Sequence, residues 1–338
     1  MTDRVNILLT GATGYIGGTV LRKFLEHPSL PLFNITAIVR SAPKAEKLKA
    51  LGINVAVGSH DDGPLVETLA ADSDVVIAMA DSDNLEAARA ILRGLKKRRE
   101  VTKTIPILIH TSGTSVLSDD AHGAFATQTI YDDSNPDQIE SLPDTQMHRN
   151  VDLEIVRADK EGYLKSYIIM PSTIWGMANG ILVELGIQNR HSVQVPQLIR
   201  VALQRGRAGM VGEGKNIWPD VNIEELADLY LLLFNTILTD PNTPHGREGY
   251  YFGESDEHTL YEVGKAIGEA LVELGKSDNP EPSSFTKEEQ KGLPDVDSNS
   301  RCRATRSRSI GWKPVKTKKD FLESIKPEVA VIAKEVGR

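Results

Sequence analysis

The chain has 338 residues, 40% of them hydrophobic, which is enough to bury a substantial core. Its 27 glycines and 17 prolines follow no period, which excludes collagen-like and low-complexity classes. The formal net charge of −8 makes nucleic acids and anionic membrane surfaces poor partners. One basic patch is interpreted as a solvated loop or a local anion contact, and it consists of Arg301, Arg303, Arg306 and Arg308.

Cysteine usage and hydropathy favour a protein of the cytosol with no membrane partner. A single cysteine, Cys302, excludes an internal disulfide and a multi-thiolate metal site and fits a reducing compartment. The N-terminal sequence has no signal-peptide pattern, and no apolar run reaches the ~18 residues of a membrane span. His245, His258 and the other histidines show no ligand spacing, so we expect no metal site.

Short apolar segments alternate with helix-compatible segments through the first half of the chain. Strands are predicted at residues 5–9, 35–39, 55–57, 75–79, 107–109 and 167–170, with a helix at 84–99. Because each parallel crossover needs a helix, this alternation predicts a doubly wound parallel sheet covered on both faces. Later helices are predicted at 224–238 and 260–274.

A glycine-rich turn follows the first predicted strand at once. The segment TGATGYIGG places Gly11, Gly14 and Gly17 as G-x-x-G-x-x-G before a helix. Glycine lets the backbone approach a pyrophosphate closely, and the helix N-terminus offers free N–H groups and a positive dipole end. The turn therefore predicts a dinucleotide site, to which we assign Thr10, Gly11, Thr13, Gly14, Tyr15, Ile16 and Gly17.

These patterns together predict an α/β fold, with a doubly wound parallel Rossmann sheet and a smaller C-terminal substrate lobe. Residues 1–175 form the dinucleotide-binding domain, although its sheet can take later strands. Residues 176–338 form a substrate-covering lobe interleaved with the edge of the sheet.

The end of the second strand predicts NADP(H) rather than NAD(H). An NAD site normally carries an acid there to bind the ribose hydroxyls, but no acid occurs between Glu26 and Glu46. Arg40 and Lys44 occupy this region instead, and a guanidinium can hold a 2′-phosphate in a charge-assisted fork. Asp61 and Ala80 follow the third and fourth strands, where adenine and ribose contacts are expected, unless they are ordinary loop residues.

Several short motifs in order give the chain a family resemblance. They are TGATGYIGG, HTSGTS at 110–115, PSTIWG at 171–176, GEGKNIWPDVNIEELADLY at 212–230 and IGWKP at 310–314. On these motifs the chain resembles the extended and atypical short-chain dehydrogenase/reductase superfamily, the NAD-dependent epimerase/dehydratase-like group. The resemblance implies that Ser112 and Thr114 are the catalytic Ser/Thr positions and that the lobe after Gly176 closes over the substrate. It also places the nicotinamide beside Pro171, Ser172 and Thr173.

The chain departs from that superfamily at its Tyr-x-x-x-Lys dyad. The corresponding region reads MHRNVDLEIVRA, in which His148 takes the tyrosine position and Asp152 the lysine position. An imidazole can donate a proton near neutral pH, and Asp152 one turn later could orient the ring. The alternative is structural, with His148 closing the helix start and Asp152 pairing with Arg149 or Lys160.

Two tyrosines elsewhere in the sequence bear on the identity of the proton donor. Tyr131, in a long polar loop, is the next candidate proton donor, unless it only anchors the loop. The literal Tyr-x-x-x-Lys match, Tyr261 to Lys265, lies far downstream on an amphipathic helix and is interpreted as coincidence.

The leading functional hypothesis is an NADPH-dependent oxidoreductase that reduces a carbonyl or related unsaturated group of a small organic molecule. One alternative is a non-catalytic NADP(H)-sensing regulator resembling the NmrA type, which lacks the dyad; another is a cofactor-using isomerase or rearrangement enzyme. Fold alone does not separate these classes. The partner is expected to be a small-molecule substrate of open identity, and a homodimer is compatible with the sequence.

Overall fold

The computed structural model describes residues 4–293 and 296–337. The strands are β1 (Val5–Thr10), β2 (Phe33–Val39), β3 (Asn54–Val57), β4 (Val75–Ala78), β5 (Ile107–Thr111), β6 (Tyr131–Asp132), β7 (Lys165–Pro171), β8 (Thr173–Trp175), β9 (Gly209–Met210), β10 (Ile217–Asn222), β11 (Tyr250–Gly253), β12 (Asp256–Thr259), β13 (Ser283–Ser284) and β14 (Cys302–Arg303). The α-helices are α1 (Tyr15–Leu25), α2 (Ala42–Ala50), α3 (Gly63–Ala71), α4 (Leu85–Thr102), α5 (Pro136–Glu140), α6 (Arg149–Lys160), α7 (Ile181–Glu184), α8 (Gln194–Arg205), α9 (Ile223–Thr239), α10 (Leu260–Glu273), α11 (Lys287–Gln290), α12 (Thr305–Ser309) and α13 (Lys318–Glu335).

A seven-stranded sheet in the order β11-β7-β5-β4-β1-β2-β3 organises the fold, and every neighbouring pair in it is parallel. The chain runs outward from β1 to β3 on one side and from β4 to β11 on the other, so the strand order reverses between β1 and β4. Ligands of such sheets bind beyond the carboxyl ends of the strands at this reversal. The predicted doubly wound Rossmann sheet is confirmed.

The sheet is stabilised by apolar side chains on both faces. Leu8, Ile77, Ile109 and Ile168 are at most 1% exposed. Helices α3, α4 and α6 pack side by side, and α1 packs against α9. Strands buried on both faces read as continuous apolar runs, which is why the sequence pattern located them well.

The chain after β7 contributes to a second core as well as to the sheet. Strands β8, β10 and β12 form a three-stranded sheet, and helices α8, α10 and α13 pack together around residues such as Ile199, Phe321 and Val329. Strand β11 returns to the large sheet and pairs with β7. The division at residues 175 and 176 into a cofactor domain and a substrate lobe stays a prediction.

The arginine patch forms contacts within the chain. Arg301 pairs with Glu257 at 2.7 Å, and Arg308 pairs with Glu254 at 2.5 Å. Cys302 is buried, and burial raises the pKa of its thiol. In the part of the chain that the structure describes, no helix is long and apolar enough to cross a membrane.

Candidate functional site

The glycine turn joins β1 to α1 at the strand-order reversal. Gly11 has φ +73°, and a Cβ there would lie 2.5 Å from the carbonyl oxygen of Met79. A Cβ on Gly17 would lie 2.2 Å from the carbonyl oxygen of Gly11. Both glycines therefore permit close backbone packing. A Cβ on Gly14 would meet only the Gly11 carbonyl oxygen, at 3.1 Å, among the described atoms within 4 Å. The outer side of Gly14 is thus open to a ligand.

Helix α1 presents its N-terminus to the same opening. Gly14 is the residue before the helix and has no side chain to cap it, so the first N–H groups of α1 remain available to an anion. The later part of the chain clamps the turn from the other side. The Tyr15 hydroxyl donates to the Gly176 carbonyl at 2.5 Å, and the Asn189 N–H donates to the Thr13 carbonyl at 3.0 Å. This cradle fits a dinucleotide pyrophosphate.

The two basic residues proposed to bind the 2′-phosphate lie at the end of β2. Arg40 is exposed immediately after the strand, and Lys44 lies in the first turn of α2, where its N–H donates to the Ser41 hydroxyl at 3.5 Å. Asp61 lies nearby. Its carboxyl accepts from Ser59 and Asn84 and faces His60 and Arg40, and these contacts lower the pKa of Asp61. The sequence alone does not place this acid beside Arg40, because the two residues follow different strands.

Ala80 borders a small recess beyond β1 and β4. His60, Asp81, Thr10 and His110 line it as well. His110 is buried, and burial together with the nearby His148 lowers the pKa of its imidazole to about 3, so the ring is neutral. Its Nε2 has no hydrogen-bond partner among the described residues. His110, with a buried polar atom that has no described partner, thus contributes to the lining of this recess at the carboxyl edge of the sheet.

The turn after β5 holds the two hydroxyl residues of the HTSGTS motif. Ser112 and Thr114 are both buried, and the Ser112 hydroxyl donates to Asp152 Oδ2 at 3.0 Å. Burial raises the pKa of Asp152 to about 7, against the opposing effects of Ser112 and Arg149. Within the described chain, Thr114 Oγ1 and Asp152 Oδ1 have no hydrogen-bond partner. Buried polar atoms without partners are costly, so each of these two atoms is a candidate contact for a polar ligand.

His148 lies at the start of α6 and is adjacent to the same turn. Its Nε2 is 3.1 Å from the position that a Cβ on Gly113 would take. Its Nδ1 faces Asp83 Oδ1 at 2.7 Å. The sequence suggested Asp152 as the group that orients the ring. In the structure His148 pairs with Asp83, and Asp152 accepts a hydrogen bond from Ser112. His148 also occupies the helix-start position that the structural alternative describes.

Tyr131 lies in β6, outside α6 and outside the turn after β5. It belongs to β6, which pairs with β14, and its N–H donates to the Arg301 carbonyl at 3.0 Å. Burial and Asp119 raise the pKa of its phenol. The structure does not bring Tyr131 into the hydrogen bonds described above for Ser112, Asp152 and His148.

The PSTIWG segment follows β7 at the same edge of the sheet. The Ser172 hydroxyl donates to the Gly253 carbonyl at 2.8 Å, which ties the segment to β11. Thr173 lines a small cavity together with apolar side chains, namely Val195, Leu198, Trp218, Leu260, Val263 and Val296, and with Gln194, Asn216 and His258. The described lining contains no lysine or arginine.

Two polar groups of the cavity were not assigned to a binding or catalytic site from the sequence. The Asn216 amide nitrogen donates to the carbonyls of Val296 and Ser298, while its Oδ1 has no partner among the described residues. His258 Nδ1 faces Asp220 Oδ2 at 3.4 Å. Their sequence spacing carried no signal, because the antiparallel pairing of β10 with β12 brings these residues together.

Comparison with known proteins gives matches over part and over most of the chain. Residues 3–121 match the profile of the NmrA-like family. Oxidase ucsJ from an Acremonium species is 28% identical over 332 residues, covering 91% of this chain and 92% of the oxidase. Phenylcoumaran benzylic ether reductase PT1 from Pinus taeda is 34% identical over 111 residues, covering 31% of this chain and 36% of the reductase. A solved dTDP-glucose 4,6-dehydratase from Streptomyces venezuelae with NAD bound has a TM-score of 0.67 at 16% identity, covering 98% of this chain and 97% of that chain.

The parallel sheet, its reversal between β1 and β4 and the glycine turn define a protein with an NAD(P)-binding Rossmann fold. The match of residues 3–121 to the NmrA-like family and the fold shared with the solved dehydratase agree with the motifs' resemblance to the extended and atypical short-chain dehydrogenase/reductase superfamily. The resemblance drawn from its motifs is confirmed.

Proposed function

We propose that this chain is an NADPH-dependent oxidoreductase that reduces a carbonyl or related unsaturated group of a small organic molecule. The observation that carries the proposal is the position of His148 beside the Ser112–Thr114 turn, together with two polar atoms, Thr114 Oγ1 and Asp152 Oδ1, that lack partners among the described residues. A hydride-accepting carbonyl leaves an alkoxide that must be held and protonated, and this cluster offers groups for both tasks.

Different residues around the cradle would bind different parts of the cofactor. The glycine turn and the N-terminus of α1 would hold the pyrophosphate, and Arg40 with Lys44 would hold the 2′-phosphate. Asp61 and Ala80 would border the adenosine, and Pro171, Ser172 and Thr173 would border the nicotinamide. Bound NADPH supplies the hydride from C4 of its nicotinamide.

The protein's own part in the reaction is to orient the substrate and supply a proton. The Thr114 hydroxyl would donate to the substrate oxygen, and a protonated His148 would transfer the proton on Nε2 to the alkoxide. Asp152 would hold Ser112 in place through the bond at 3.0 Å. Tyr131 is the alternative donor if His148 only closes the helix start.

Two observations support redox chemistry on an uncharged substrate. The relatives named above are called an oxidase and a reductase. Among the described residues, the lining of the cavity at Thr173 is largely apolar and has no lysine or arginine, and such a lining does not neutralise a diphosphate. A small, largely apolar carbonyl compound fits this lining better than a nucleotide sugar.

The experiment is an NADPH-oxidation screen against aldehydes, ketones and enones, followed by His148→Ala with the best compound. We expect turnover about 10²–10⁴-fold slower in the variant, with NADPH affinity nearly unchanged. His27→Ala, in the loop after α1, is the matched control and should keep full turnover. Full turnover by His148→Ala would remove this residue from the mechanism.

A second candidate, a non-catalytic NADP(H) sensor, is favoured by the match of residues 3–121 to the NmrA-like family. The same screen separates the two functions. Tight NADPH binding with no oxidation by any compound of the panel would favour the sensor.

A further inference from the structure

The β4–α4 connection places an acid directly against His148. Asp83 Oδ1 accepts from the backbone N–H of His148 at 3.2 Å and faces its ring Nδ1 at 2.7 Å. The backbone N–H of Asp83 donates to Asp81 Oδ1 at 2.9 Å, which fixes the carboxylate's own segment. One carboxylate oxygen therefore contacts both the main chain and the ring of a residue on another element.

We propose that Asp83 is the positioning residue of His148, holding its neutral ring in the Nδ1–H tautomer with Nε2 directed at the Ser112–Thr114 turn. The role in turnover rests on the proposed function, whereas the tautomer does not.

The chemistry of the two groups gives the tautomer. An ionised carboxylate only accepts hydrogen bonds, so the ring nitrogen at 2.7 Å from Asp83 must carry the hydrogen. In a neutral imidazole the other nitrogen, Nε2, then has the lone pair. That nitrogen lies beside Gly113, the residue that separates Ser112 from Thr114 in the turn. His148 can thus take up and release a proton at Nε2 while Nδ1 stays bonded to Asp83.

The backbone of His148 shows that this placement is enforced. Its φ is +66°, in the left-handed region that non-glycine residues rarely adopt. The N–H groups of Val151 and Asp152 donate to its carbonyl, so the main chain is held by α6 on one side and by Asp83 on the other. Strained backbone of this kind persists where surrounding contacts determine it, and it clusters at functional sites.

The test measures the tautomer by two-bond ¹H–¹⁵N NMR on the full chain labelled with ¹⁵N-histidine, at alkaline pH. The chain has 8 histidines, and loss of one signal in His148→Ala assigns His148. We expect the Nδ1–H pattern in the unmodified protein and a change to the Nε2–H pattern in Asp83→Ala. Asp83→Asn keeps an acceptor oxygen and should retain the Nδ1–H pattern. Glu86→Gln, an exposed acid in the first turn of α4, is the matched control and should change nothing.

An Nε2–H pattern in the unmodified protein, or no change in Asp83→Ala, would overturn the proposal. With a substrate from the screen, Asp83→Ala should lower kcat about 10–100-fold while KM and NADPH affinity change little, and Asp83→Asn should recover part of the loss. Equal kcat in Asp83→Ala would overturn the positioning role. If the tautomer behaves as expected and no compound is turned over, the pairing stands and the proposed function fails.

Discussion

Arg40 is the side chain on which the choice between NADPH and NADH is expected to depend. It follows β2 directly, at the place where NAD-binding sheets normally carry an acid. Asp61 lies near enough to Arg40 for its pKa to be lowered, among other causes, by the guanidinium. Both side chains are exposed, so water screens their attraction, and Arg40 remains able to turn toward a phosphate.

Arg40→Ala should therefore raise the dissociation constant for NADPH by about 10–100-fold, which corresponds to the loss of one charge-assisted hydrogen bond. NADH has no 2′-phosphate, so its affinity should change little. Isothermal titration of both cofactors measures the effect. Lys49→Ala, in the last turn of α2, is the control and should bind both cofactors normally. Equal affinities for NADH and NADPH in the unmodified protein would contradict the assignment.

At the scale of elements, the glycine turn has two separable tasks. Gly17 packs against the backbone of Gly11, where a Cβ would lie 2.2 Å from the carbonyl oxygen. Gly14 faces open space apart from that same oxygen at 3.1 Å. One glycine therefore allows α1 to approach the turn, and the other leaves room for the ligand.

Gly14→Val should abolish cofactor binding while the protein keeps most of its thermal stability, because the new side chain occupies the space of the pyrophosphate. Gly17→Val should lose binding and also melt at a lower temperature, because the turn must shift to admit the side chain. Calorimetric titration and thermal denaturation of both variants measure the two effects. Normal affinity in Gly14→Val would show that the turn has only a structural role.

On the scale of the whole molecule, a buried histidine links the C-terminal helix to the chain beside the glycine turn. His191 Nδ1 faces Glu328 Oε1 at 2.9 Å, and its Nε2 faces Glu335 Oε1 at 3.1 Å. Both acids belong to α13, while Asn189, two residues earlier, donates to the Thr13 carbonyl. Hydrogen bonding to Glu328, assisted by Glu335, raises the pKa of His191 despite its burial.

This raised pKa predicts a pH-dependent contribution to stability. A histidine whose protonated ring gains acidic partners on folding has a higher pKa in the folded than in the unfolded protein. Its contribution to the free energy of unfolding is complete below the unfolded pKa of ~6.5 and is lost as the pH rises through the folded pKa. His191→Gln should lower the free energy of unfolding by about 1.5 kcal/mol at pH ~6 and by less at pH ~9. Urea denaturation at both pH values measures the difference.

The control for this prediction is His122→Gln. His122 also faces an acid, Asp297 at 2.8 Å, but its side chain is 73% exposed. Its loss should therefore cost less at either pH, since exposed ion pairs contribute little. A His191→Gln variant whose stability deficit is the same at both pH values would show that the buried ring is not charged in the folded protein.

The sequence by itself determined the sheet and the glycine turn. Strands buried on both faces are largely apolar, as in β4, and α9 and α10 keep a helical apolar period, so local pattern located them to within a few residues. The turn was also predicted from local sequence, because the glycines that a close backbone approach requires lie within a few residues of each other. Strand β11 was not predicted, since only its pairing with β7 places it in the large sheet.

Only the tertiary structure decided how the polar residues of the site are paired. The sequence predicted Asp152 as the partner of His148 because the two are one helical turn apart. In the structure the ring faces Asp83, which is 65 residues away. Asp152 is bonded instead to Ser112, 40 residues away, and Asn216 meets His258 in one cavity through the pairing of β10 with β12. Side-chain partners across elements depend on how strands and helices pack, and a local periodicity carries no record of that packing.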